Sequence, residues 1–362
     1  MPYMMLAFFI LLIVLPIFTL RPRKDESKKV FDYTTSMCLK GILCLFVMFH
    51  NLGLDYFHDE GPMRLISESA GGVGVGIFFF LSAFGILRAY QAKGNKFLLK
   101  LIFINCTKLW LIAVGINLLT YLVYFNGAFE TKDAVLRILN FDIFNHFNRM
   151  NRHGWFIATI ILLYLLFALT YFICSKLKID KKFIIAGIIM FLIPFGFKIA
   201  SWITDAISGM YVREITMFSF GIFYATFYER VNYILKKGFW IALPISAVAM
   251  VIGFIFNEPL STYGACIFLM TIAQRFTWEN KVTYFLGKIC IGVYLFLHFS
   301  TLTLQHFINN EALWLLLNAG FILLFAVLLY GVIVLIEKGI VLIRIKIIEK
   351  KLSMNEQQKT VH

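Results

Sequence analysis

The chain has 362 residues, of which 60% are apolar and 15% charged, and its mean hydropathy is +0.81. Soluble domains carry about 25% charged residues, and apolar runs long enough to cross a bilayer recur here from end to end. This excludes a soluble globular fold and predicts an all-α integral membrane protein, a polytopic bundle of about 10–11 transmembrane helices. The net charge of +14 does not point to nucleic acid, because the Lys and Arg residues cluster in short stretches between apolar runs.

The first run, Tyr3 to Leu20, has no basic residue before it and no small-residue cleavage motif, and the basic stretch RPRKDESKK follows it. It reads as a retained helix with its N-terminus outside, not as a signal peptide. Ten further spans are predicted at 34–54, 71–90, 101–125, 154–174, 183–200, 209–228, 238–256, 260–275, 283–304 and 312–336. The segments then assigned to the cytoplasm are 21–33, 88–100, 175–182, 229–238, 275–281 and 337–362. They hold 24 of the 34 Lys and Arg residues, against six in the outer segments. That bias predicts a multi-pass protein of the cell membrane with a cytoplasmic C-terminus.

Residues 1–33 form an extra N-terminal helix and a basic linker, 34–336 the membrane domain, and 337–362 a basic tail. The last ten residues, SMNEQQKTVH, read as disordered. Two outer loops stand out. DYFHDEGPMRLISESA follows the second span, and residues 126–153 include a partly amphipathic, aromatic-rich segment expected to lie on the membrane surface or fold back into it.

The segment KGILCLFVMFH places Lys40 and His50 in one apolar span. An ionisable group at that depth costs roughly 2.5 kcal/mol or more on insertion scales and defaults to a functional role. Ten residues of helix are about 15 Å, so the two lie toward opposite membrane faces. His50 is read either as a general base or acyl carrier, or as a buried histidine bonded to a carbonyl. Lys40, Lys108 and Lys288 fall toward the cytoplasmic side, where each either pairs with a polyanion or snorkels to headgroups. Arg213 and Glu214 open the seventh span on the outer side, His298 ends the tenth there, and His153 and Trp155 open the fifth. Binding roles compete with interfacial charge pairs and aromatic anchors. GGVGVG, residues 71–76, lacks the Lys-Ser/Thr of a phosphate loop and reads as a close helix-packing stripe. The six cysteines show no metal or redox spacing and read as small packing residues, and His58-Asp59-Glu60 as a solvated loop, with no metal implied.

TTSMCLKGILCLFVMFHNLG followed by GGVGVGIFFFLSAFGILRAY resembles the opening of the acyltransferase 3 family of membrane O-acyltransferases. HGWFIATIILLYLLFAL and FLGKICIGVYLFLHF resemble later segments of the same family, in order, over about residues 34–336. The family places an Arg eleven residues before its His, where this chain has Lys40 ten before His50. Eleven steps leave two side chains about 20° apart around a helix and ten about 80°. Ser82-Ala83-Phe84 stands where Ser-Gly-Phe is usual, and the basic patch before the fourth span is reduced to Lys100 and Lys108.

The resemblance implies transfer of an acyl group, typically acetyl from acetyl-CoA or another acyl-CoA, to a glycan or lipid-linked sugar on the far side of the membrane. It implies a catalytic role for His50 and Lys40, acyl-CoA at Lys40, Lys108 and Lys288, and the acceptor at Arg213, Glu214, His298, Trp155 and His153. A transporter or flippase for polysaccharide or a small anion is the competing reading. The matching broken helices of two similar halves, common in transporters, are not found in the chain.

Overall fold

The computed structural model describes residues 2–23, 29–56, 61–141, 151, 153–177, 182–203, 214–256, 260–305, 307–308 and 310–360. In chain order the elements are α1 (Pro2–Phe18), β1 (Leu20–Pro22), α2 (Tyr33–Tyr56), α3 (Pro62–Lys93) and α4 (Asn95–Lys100). A π-helical stretch (Leu101–Cys106) leads into α5 (Thr107–Thr120), and a second (Tyr121–Phe125) ends that span. There follow α6 (Thr131–Ile138), α7 (Gly154–Lys176), α8 (Lys182–Ile203), α9 (Thr216–Thr226), α10 (Tyr228–Lys237), α11 (Phe239–Phe256) and α12 (Leu260–Ile272). β2 (Phe276–Trp278), α13 (Lys281–Leu304) and α14 (Glu311–Thr360) complete the chain.

Among the described residues, 8 helical spans are long and apolar enough to cross a membrane, and α1 and α12 are shorter apolar helices. With α9, which is nearly all buried, they follow the predicted order of spans. The all-α membrane bundle is thus the fold. Two boundaries differ most from expectation. α3 starts at Pro62 instead of residue 71. Proline is favoured in the first helical turn, the Arg64–Glu68 pair at i,i+4 adds support, and packing holds the glycine run in the helix. At the other end, α14 continues through the tail to Thr360, where disorder was expected.

α3 is the central helix. Of its most apolar 18-residue stretch 89% is buried, against 11% for α14 at the periphery. α2 packs most extensively on α13 and on α3. The α2–α13 contact depends on two glycines. A Cβ on Gly41 would lie 1.9 Å from the Thr283 carbonyl oxygen, and one on Gly287 would lie 2.0 Å from that of Met37. Backbones this close admit only glycine, the packing logic of membrane helices. Further along, Asp55 accepts a hydrogen bond from Thr301 at 3.1 Å. Both pairs are 246 residues apart, so the two helices run parallel and stay in step.

β1 pairs antiparallel with β2, Leu20 opposite Trp278. The clip puts the chain leaving α1 and the chain entering α13 on one face of the bundle. α6 folds back toward the bundle: Trp110 donates to the Leu139 carbonyl at 2.8 Å and Asn117 to that of Arg137 at 3.1 Å. The described part of residues 126–153 thus packs against α5.

Candidate functional site

Two adjoining cavities lie along α2. The first, of about 100 Å³, is lined by Lys40 and Cys44 of α2, Ser82 of α3, Tyr164 of α7, Cys290 and Tyr294 of α13, and apolar side chains between them. The second, of about 60 Å³, is lined by His50, Asn51, Gly71, His153, Trp155, Glu214 and Tyr294, among others. Val47, Val75 and Tyr294 line both and form the neck between them. The ten-residue spacing is thereby explained. Lys40 and His50 line different chambers, so they need not share one helix face.

His50 is held by α3. Its Nδ1 lies 2.9 Å from the carbonyl oxygen of Ser67. A carbonyl can only accept, so Nδ1 carries the proton and the neutral ring has its lone pair on Nε2. The Ser67 hydroxyl in turn donates to the His50 carbonyl at 3.1 Å. Gly71 gives the ring its space: a Cβ there would sit 2.3 Å from His50 Cγ. The glycine run is thus a packing stripe, as predicted, and Gly71 also forms one wall of the histidine's seat. Of the two readings of His50, the carbonyl bond is present; it orients the ring and is compatible with base chemistry.

Around His50 the fold gathers groups from distant segments. His153 is buried, with its ring centroid 5.7 Å from that of Tyr294 and 6.3 Å from that of His298. Its backbone N–H donates to Asn151 Oδ1 at 3.1 Å, and Asn151 Nδ2 donates to the Leu295 carbonyl at 3.4 Å. This ties the start of α7 to α13. Trp155 is buried in the cavity wall. Glu214 lines the same wall with φ of 55°. For a non-glycine residue that left-handed conformation costs about 1–2 kcal/mol, and such strain clusters at functional sites. Arg213, and the His58–Glu60 cluster, lie outside the described residues.

The first cavity is less polar. Lys40 projects into it, and among the described residues its amine has neither a hydrogen-bond nor an acidic partner; Cys290 is its electrostatic neighbour. The predicted convergence of three lysines does not occur. Lys108 is exposed and pairs with Glu337 of α14, while Lys288 is exposed over the Tyr284 ring at 4.8 Å. The reason is helix rotation. Leu109 and Cys290 face the cavity, and residues one or two steps away point about 100° or 200° elsewhere.

Three contributors were not singled out from sequence: Ser67, whose carbonyl orients His50; Asp55, which bonds Thr301; and Tyr294, which lines both chambers. Tyr294 alone had a legible signal, one turn before His298 on the same helix face.

Searches of curated proteins and of solved structures return no match for this chain. The model of a family described as an acyltransferase domain does match, over residues 37–337. The match runs from the first turns of α2 into α14 and takes in both cavities. On that coverage the chain belongs to the acyltransferase 3 family of membrane acyltransferases.

Proposed function

We propose that the protein moves an acyl group, in the first instance acetyl, from acyl-CoA on the cytoplasmic side to a hydroxyl of an extracytoplasmic glycan or lipid-linked saccharide. The observation that carries this reading is the paired chambers, with a cation in one and an oriented imidazole in the other. The thioester arm of the donor would enter the Lys40 chamber. A lysine without an acidic partner in a low-dielectric cavity favours an anionic or strongly polar ligand group. The phosphates of the donor would stay outside, toward the start of α2.

At the other chamber, an acceptor hydroxyl near His50 would donate its proton to Nε2 as the oxygen attacks the acyl carbon. The Nδ1–H bond to the Ser67 carbonyl would favour the positive charge the ring takes up and keep the ring from turning away. Trp155 and Tyr294 offer flat apolar faces to a sugar ring, and Glu214 and His153 offer polar contacts to its other hydroxyls. Holding donor and acceptor at one neck supplies the orientation that makes such a transfer fast.

The test is transfer of labelled acetyl from acetyl-CoA by protein reconstituted in vesicles, with a glycan extract as acceptor. Wild type is compared with His50→Ala at equal amounts of folded protein. Transfer by wild type and its loss in the variant supports the reading. Equal transfer by both would remove His50 from the chemistry, and no transfer by wild type with any acceptor extract would redirect the assignment toward transport.

A further inference from the structure

The neck between the chambers is built by two helix stripes and one ring. α2 presents Cys44, Val47 and His50 in steps of three residues, and α3 presents Phe78, Val75 and Gly71 in steps of three and four. Each stripe therefore places its valine between the Lys40 side and the imidazole. Tyr294 of α13 completes the neck.

This neck is stiff. Both valines are buried, and a helical valine holds one strongly preferred χ1 rotamer. α3 stands directly against Val47: a Cβ on Gly74 would lie 2.9 Å from Val47 Cγ2. The Tyr294 ring packs 4.8 Å from that of Phe156, which packs 5.2 Å from that of Phe79. Widening the neck means moving this packed cluster, and close-packed interiors transmit strain before they yield.

The acyl-transfer reading above sets the acyl carbon at the neck, with the donor arm on one side and the acceptor hydroxyl and His50 on the other. The chambers hold about 100 and 60 Å³, and each is then taken up by one reactant. The tail of the acyl group is left with the space against the valines. We infer, on the basis of that reading, that Val47 and Val75 determine donor specificity by limiting the acyl group to acetyl or propionyl. A methylene that a fitted apolar pocket has to accommodate or reject changes the rate about 10–200-fold, so butyryl should transfer at least about 100-fold more slowly than acetyl.

The experiment uses the full chain in vesicles with a glycan extract as acceptor and acetyl-, propionyl-, butyryl- and hexanoyl-CoA as labelled donors. Truncating either valine to alanine removes two methyl carbons at the neck, matching the two methylenes by which butyryl exceeds acetyl. Val47→Ala and Val75→Ala should each raise the butyryl-to-acetyl ratio at least about 10-fold. Val75→Ile, which adds a methylene, should lower the propionyl-to-acetyl ratio. Val73→Ala is the control: Val73 is buried in the same helix but lies in neither cavity wall, and the ratio should stay at the wild-type value. Each ratio is internal to its sample, so it does not depend on how much of a variant folds. Wild-type transfer of butyryl or hexanoyl at the acetyl rate would overturn the inference. So would a ratio unmoved in both neck variants, or raised as far by Val73→Ala. Each of these leaves the acyltransferase reading standing, whereas no transfer from any of the four donors would sink that reading itself.

Discussion

His50 and Ser67 are locked to each other twice. The imidazole Nδ1 sits 2.9 Å from the Ser67 carbonyl oxygen, and the Ser67 hydroxyl donates back to the His50 carbonyl at 3.1 Å. The pair joins α2 to α3 at the wall of the second chamber. To act as a base the ring must offer the Nε2 lone pair, so the proposed reaction requires the neutral form. The transfer rate should therefore fall as pH is lowered enough to protonate the ring, and hold on the alkaline side. A rate profile in vesicles buffered equally on both sides would show an acid limb; an alkaline limb alone would contradict this assignment.

Gly71 should be intolerant of even a methyl group. A Cβ there meets the His50 ring at 2.3 Å, so Gly71→Ala has to turn or displace the imidazole. A misplacement of 1 Å at a reacting group costs about 100-fold in rate, whereas overpacking costs about 1–3 kcal/mol in stability. Transfer falling far more than thermal stability is the expected pattern. Near-wild-type transfer would mean that His50 is not the base.

The Gly41–Gly287 crossing predicts the opposite balance. Gly41→Ala would bring a Cβ to 1.9 Å from the backbone of α13, and backbone cannot yield as a side chain can. The variant should lose folded protein, with detergent-solubilised material unfolding at clearly lower temperature. Gly85, also in a helix, has nothing within 4 Å of its would-be Cβ. Gly85→Ala should be neutral or stabilising by up to about 1 kcal/mol. Equal behaviour of the two variants would refute the crossing.

At Glu214, backbone and carboxylate can be separated. With φ at 55°, Glu214→Gly relieves the left-handed strain and should raise stability by about 1 kcal/mol while lowering transfer. Glu214→Gln keeps the strain and should lower transfer with little change in stability. If both variants transfer like wild type, the carboxylate has no part in acceptor binding and its strained backbone is unrelated to function.

The β1–β2 pairing makes a prediction about sidedness. Cysteines introduced for Arg21, paired with Thr277, and for Glu279, next to the paired Trp278, must react with a membrane-impermeant maleimide from the same side. Labelling from opposite sides would break the clip and the order of spans built on it. The side on which they react would also test the charge-based orientation directly.

Much of this was legible in the chain itself. Apolar run length specifies membrane-crossing helices almost without context, because an unpaired backbone in hydrocarbon is prohibitive. A histidine and a lysine inside one such run are costly enough to suggest a site, and segments spread over residues 34–336 carried the family resemblance. Local sequence also marked GGVGVG as a packing stripe. Composition could not place the start of α3 or the helical tail, since a glycine-rich or polar stretch becomes helix only when neighbours or continuity hold it there.

The site's membership needed the tertiary fold. Lys108 and Lys288 look equivalent to Lys40 in hydropathy, yet only Lys40 faces a cavity. Which way a side chain points depends on the rotation of its helix, and that is settled by contacts with helices hundreds of residues away. The in-step pairing of α2 with α13 at Gly41–Gly287 and Asp55–Thr301 is such a contact. It sets Cys290 level with Cys44, one turn along from Lys40, and Tyr294 at the neck, an alignment that arises from backbone approach and not from any spacing along the chain.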